Sequence, residues 1–354
     1  MKTRTTTMLA VLGIGTAALA ADSAAPTNAY PAGGAPSPYP RINTAVWYEV
    51  DPAWPQRPAD VGWGGISGLA VDAQDNVWIY TRTNPTVQVY APGGTYVKGW
   101  QSPGTNAVAH GLRIDAGGHV WLVDVGRHTV TKHLADTGRV LLTLGTEGVP
   151  GCDATHFFKP TDVAVARNGD IYVTDGYGNA RVAQFNKDGT FIREWGGLGV
   201  KPGQFSIPHS IVCDARGRLY VADRNNGRIQ VFDTRGRLLD VWGDIMVPWS
   251  LWLSPEGDIW ACGSSPMTWG FDAKYPTAPL GCPPKDQMVV RFDSSGKVRQ
   301  LWTFPKAADG EEVPGSLNWL HNAVPDSKGN LYCSDIIGRR VQKFLRKTDP
   351  AAAR

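Results

Sequence analysis

The chain has 354 residues, 42% of them hydrophobic and 19% charged, a balance that supports a sizeable core and excludes extended disorder. A formal net charge of +3 is too small to point to nucleic acid. Its 41 glycines, 26 prolines and 14 tryptophans fit many short strands joined by turns better than a helical protein.

The first residues carry a basic start (Lys2, Arg4), then an apolar run from Met8 to Ala20 that ends in small residues. That is the pattern of a secretory signal cleaved near Ala20. The run is too short for a comfortable membrane span, and no Cys follows it as a lipid anchor. The mature protein is therefore expected to be secreted or periplasmic, with no stable span. Residues 21–43 are Pro/Ala-rich and read as a linker. Residues 44–346 read as one domain and 347–354 as a tail.

Within that domain six stretches align without a gap: "SGLAVDAQDNVWIY" from Ser67, "HGLRIDAGGHVWLV" from His110 and "TDVAVARNGDIYVT" from Thr161. The others are "HSIVCDARGRLYVA" from His209, "WSLWLSPEGDIWAC" from Trp249 and "HNAVPDSKGNLYCS" from His321. Eleven residues after each start stands an aromatic: Trp78, Trp121, Tyr172, Tyr220, Trp260 and Tyr332. Each unit alternates apolar and polar residues, breaks at a Gly/Asn/Asp turn and alternates again. A third strand such as "IQVF" and a fourth such as "LLDVWG" follow. Four antiparallel strands repeated six times predict an all-β fold, a six-bladed β-propeller. The sixth unit has only three strands, ending at Phe344, so "NTAVWYEVDPAW" before the first unit is expected to supply the fourth and close the ring.

In a propeller the first strand of each blade lines the central channel and the second runs back antiparallel. Strand-one starts and strand-two ends therefore share a face. His110, His209 and His321 open units two, four and six, whereas Ser67, Thr161 and Trp249 open the odd units. Three imidazoles with approximate threefold spacing suit zinc, with a fourth position left for water or substrate. A lone histidine there would read as a hydrogen-bonding residue; three at equivalent places reverse that balance. Other divalent ions also suit imidazole. His119, His128, His133 and His156 lack the equivalence and read as ordinary.

Fourteen positions after the unit start, Asp124, Asp175, Asp223 and Asp335 recur, which argues for a structural turn role. One position further, Arg82 and Arg224 fall on the histidine face, and Tyr177 follows in unit three. An arginine there can grip a carboxylate in bidentate fashion, or instead pair with a neighbouring blade. A tyrosine beside a metal can act as a base. Five cysteines leave at least one without an intramolecular partner. Cys262 and Cys282 bracket an irregular insertion and are the expected disulfide, with two unpaired thiols as the alternative.

The stretches "DGYGNARVAQF" and "FSIPHSIVCDARGRLYVADRNNGRIQVF", with "HGLRID" and "PTDVAV", resemble peptidyl-α-hydroxyglycine α-amidating lyase, a relative of NHL-repeat propellers. The likeness runs from about Trp47 to Phe344 and is weakest in the fifth unit. It implies that His110, His209 and His321 are zinc ligands, Tyr177 the catalytic tyrosine, and Arg82 and Arg224 active-site arginines. It also implies a structural calcium on the backbone carbonyls of Leu69 and Leu112 and on an Asp. Here that Asp is Asn322, which carries one negative charge fewer. Animal members have a Cys where this chain has Gly178, so their disulfides do not carry over.

The function expected is an exported, zinc-dependent lyase that cleaves the N–Cα bond of a C-terminal α-hydroxyglycine, giving an amide and glyoxylate. Its expected partner is a peptide or small N-acyl substrate, and it is read as a monomer. The competing expectation is a non-catalytic extracellular propeller that binds a peptide, glycan or protein. A sugar-lactone hydrolase would rest on acidic and amide ligands, against which the histidines weigh.

Overall fold

The computed structural model describes residues 46–102, 104, 107–266 and 284–348. The proposed signal, the linker, the last residues and Cys282 lie outside the described residues. Strands form six separate four-stranded antiparallel sheets, the six blades expected. Their innermost strands are Ile66–Val71, Ala109–Ile114, Asp162–Val165, Pro208–Cys213, Val247–Leu253 and Leu320–Pro325. A 3-10 turn, Arg224–Asn226, breaks the all-β pattern, and among the described residues no helix is long and apolar enough to cross a membrane.

The ring closes as the alternation before the first unit implies. Val46–Asp51 pairs antiparallel with Arg340–Thr348 of blade 6, in a register that sets Val46 opposite Thr348 and Asp51 opposite Lys343. The closing pairing carries the blade 6 strand to Thr348, past the expected domain end at residue 346. Without it that strand would present unpaired N–H and C=O groups to solvent.

The core lies between blades. Six apolar clusters of buried residues each join consecutive blades, such as Trp121, Val123, Val163 and Val173 between blades 2 and 3. Each buried Val, Leu or Ile contributes about 1.5–3 kcal/mol by leaving water. The recurring aromatic on strand two also fastens the turn before it. Trp78 and Trp121 donate Nε1–H to Asp72 and Asp115 at 2.8 and 2.9 Å, and Tyr220 reaches Asp214 at 3.1 Å. The repeated Asp at the strand-two end has the structural role expected. Asp124, Asp175, Asp223 and Asp335 accept backbone N–H groups of Val108, Phe158, Ser206 and Asn318 at 2.8–3.0 Å. Trp252 of blade 5 packs against three clusters, those joining blades 5–6, 6–1 and 1–2, and so fills the channel at the end away from the histidines.

Candidate metal centre

The unit-opening residue stands at a kink. In the inner hairpins of blades 1, 2, 4, 5 and 6 the pairing register shifts across Ser67, His110, His209, Trp249 and His321. A β-bulge there leaves one residue out of the ladder and re-aims its side chain. In the even blades that side chain is an imidazole, and the three converge with ring centroids 4.8, 5.0 and 5.2 Å apart.

Each imidazole is oriented by the next blade. His110 Nδ1 lies 2.6 Å from Thr161 O, His209 Nδ1 2.6 Å from Trp249 O, and His321 Nδ1 2.8 Å from Ser67 O. A carbonyl oxygen only accepts, so Nδ1 carries the hydrogen and Nε2 offers its lone pair. Burial, with Arg82 and Arg224 nearby, lowers the His110 pKa to about 4. Burial also holds His209 and His321 well below their ordinary value, reinforced by the neighbouring His110. At neutral pH the site is three neutral imidazoles.

One nitrogen from each lies within 4.8 Å of the others, and this trio is the metal-capable cluster found among the described residues. The void they border is about 10 Å³, roughly the room for one water or one ion. This donor set fits zinc. The remaining histidines are engaged elsewhere, for example His133 with Gly138 O at 2.8 Å and His119 with Asp115 at 3.1 Å.

Tyr177 and Arg224 join the trio. Tyr177 Oη lies 2.8 Å from His209 Nε2 and 3.2 Å from His110 Nε2. Its loop is clamped by Asp175, which accepts from Asn179 at 2.7 Å and Arg181 at 3.0 Å. Arg224 is 2% exposed on its 3-10 turn, with Nη1 3.5 Å from Tyr177 Oη. Its Nε and Nη2 are buried without a protein partner, which leaves two donors for a ligand. Arg82 is exposed at the mouth and donates Nε–H to Ala109 O at 3.2 Å.

The residues expected to hold calcium do not fit it. Asn322 Oδ1 already accepts from Ser250 Oγ at 2.6 Å, and its amide nitrogen donates to Ser67 O. The donors expected from Leu69 and Leu112 are inner-strand backbone carbonyls, and a guanidinium, Arg113, lies in the same channel beside Leu112. The Cys262 thiol is buried, its Sγ 3.4 Å from His321 O, and it has no disulfide partner among the described residues; its expected partner, Cys282, lies outside them. A larger cavity of about 650 Å³ opens on the opposite face, lined among others by Trp252, Asp72 and Arg346, away from the histidines.

Three signals were missed in the sequence: the bulges, the carbonyls that orient the imidazoles, and the turn under Arg224. Only the glycine after "DRNN" hinted at the last, and Gly227 does take a left-handed φ of 61°.

The NHL repeat matches residues 157–185 and 205–232, the inner strands of blades 3 and 4. A probable peptidyl-α-hydroxyglycine α-amidating lyase of Caenorhabditis elegans is 44% identical over 126 residues, covering 35% of this chain and 36% of its own. NHL repeat-containing protein 3 of Mus musculus is 32% identical over 320 residues, covering 84% of each. The chain spans 21–34% of the length of the peptidylglycine α-amidating monooxygenases it matches. Among solved structures a streptogramin B lyase superposes with TM-score 0.55 at 16% identity, over 86% of this chain and 99% of its own, a likeness of fold. Repeats, relatives and architecture agree, and the chain belongs to the family of NHL-repeat β-propellers that includes the peptidyl-α-hydroxyglycine α-amidating lyases.

Proposed function

We propose that the protein is an exported, zinc-dependent lyase that splits the N–Cα bond of a peptidyl- or N-acyl-α-hydroxyglycine into an amide and glyoxylate. The observation that carries this reading is Arg224: a buried guanidinium with two unpartnered N–H groups, next to a phenol and three lone-pair imidazoles. A substrate with a carboxylate one carbon from a hydroxyl matches that arrangement. The names of the lyase relatives support the same chemistry.

A zinc ion on His110, His209 and His321 would supply Lewis-acid polarisation to the substrate's oxygens. Arg224 holds the carboxylate through its free donors, and Arg82 adds positive charge at the mouth. Tyr177 Oη, acting as the phenolate, takes the hydroxyl proton and becomes the phenol. The hydroxyl oxygen then forms the aldehyde C=O as the C–N bond breaks, and that bond's electrons pass to nitrogen. Tyr177 returns the proton to this nitrogen, so no net proton is consumed. Burial of the site strengthens each of these contacts.

The test is glyoxylate release from a small N-acyl-α-hydroxyglycine by the purified protein, before and after chelation and zinc restoration. Release that chelation abolishes and zinc restores is the expected result. No release from folded, zinc-loaded protein would sink the lyase reading and leave a binding propeller.

A further inference from the structure

We propose that the channel carries its own fixed cation: Arg113, paired with Asp162, ties the blades together where a structural calcium is expected, and the channel takes no calcium. The inference concerns the scaffold and stands apart from the lyase reading.

Arg113 extends from the inner strand of blade 2, with its side chain 13% exposed and that of Asp162 in blade 3 at 6%. The contact is bidentate: Nε donates to Asp162 Oδ1 at 3.0 Å and Nη2 to Oδ2. Asp162 Oδ1 also accepts Val163 N at 2.9 Å, and Oδ2 accepts Ser210 Oγ at 2.6 Å and Ile211 N at 3.1 Å. No carboxylate lone pair is left for a metal.

These bonds form part of a closed girdle. Arg113 joins blades 2 and 3, and Asp162 with Ser210 joins 3 and 4. Leu251 N donates to Ser210 Oγ at 3.0 Å, joining blades 4 and 5, and Ser250 with Asn322 joins 5 and 6. The Asn322 amide reaches Ser67 O, joining blades 6 and 1, and Ser67 Oγ donates to Ala109 O at 2.5 Å, joining 1 and 2. Every blade junction is bridged by a hydrogen bond between protein groups. A divalent ion placed here would lie beside a half-buried guanidinium and meet a neutral amide where a carboxylate is needed.

The experiment uses the whole protein, purified in millimolar calcium chloride and exchanged into calcium-free buffer with zinc. Calcium per chain is then measured by inductively coupled plasma mass spectrometry. Tm is read with added calcium, and with magnesium as the control. The expected result is no stoichiometric calcium and a Tm that calcium moves no more than magnesium does. Retained calcium at one ion per chain, or a calcium-specific rise in Tm, overturns the proposal. Arg113→Met and Asp162→Asn are each expected to lower Tm by several degrees, because each leaves a buried charge or acceptor unpaired. If Arg113→Met does not fold, Arg113→Lys, which keeps the charge and loses the fork, should fold and melt a few degrees below the parent. A Tm equal to the parent's in these variants also overturns the girdle.

Discussion

His110, His209 and His321 are 2%, 2% and 6% exposed, and their order comes from backbone rather than from one another. Because each donates Nδ1–H to a carbonyl of the next blade, neither ring flips nor tautomers compete for Nε2. Tyr177 touches two of the three through one oxygen. Tyr177→Phe is therefore expected to lower kcat by about 10²–10⁴-fold, the usual worth of a general acid–base group. Bound zinc, measured by atomic absorption, should stay at the parent level; parallel loss of zinc would instead make Tyr177 a structural prop. For Arg224 the informative change is to Lys. Charge is kept but the two-pronged grip is lost, so kcat/KM for the hydroxyglycine substrate should fall by about tenfold or more. An unchanged kcat/KM would assign carboxylate binding elsewhere.

Between residue and ring stand the hairpins. A Cβ on Gly176 would meet Pro208 O at 2.1 Å and Thr161 Oγ1 at 3.1 Å. Thr161 itself bonds Pro208 O at 2.6 Å, one residue before His209. Gly176→Ala should therefore push blades 3 and 4 apart at the site, costing about 1–3 kcal/mol as overpacking does. Urea denaturation would read that cost, and turnover should drop with it. At Gly178 a side chain would overlap the Phe158 ring, so the cysteine that the resemblance places at this position has no room here. The histidine trio was legible because a repeat in register exposes which positions share a face. The bulge that aims each imidazole was not, since alternation of apolar residues reads the same with or without one unpaired residue. Arg113 and Asp162 stand in "HGLRID" and "PTDVAV" with no local pattern that gives either a role. Their bond crosses a blade junction, and only the closed ring brings them together. Trp252 as a channel plug was hidden for the same reason.

At the scale of the whole molecule, stability rests on six similar junctions and one non-covalent clasp. Deleting residues 1–51 removes the strand that pairs with Arg340–Thr348. The shortened chain should melt several degrees lower and associate in a concentration-dependent way through the bared edge, as sedimentation velocity would show. A monomer of parent stability would mean that the six clusters alone close the ring. The same clasp sets where the polypeptide enters and leaves. Val46 and Thr348 are register partners, and inner strands begin at the histidine end, so the third strand of blade 6 also ends away from it. Both exits therefore lie at the outer rim, on the side opposite the mouth. A tag, a bead or a second enzyme fused at either exit would hold the propeller by its back. Immobilised through such a handle, each molecule would still show its mouth to the solution, so a packed column should offer the histidine trio to a dissolved ligand as the free protein does.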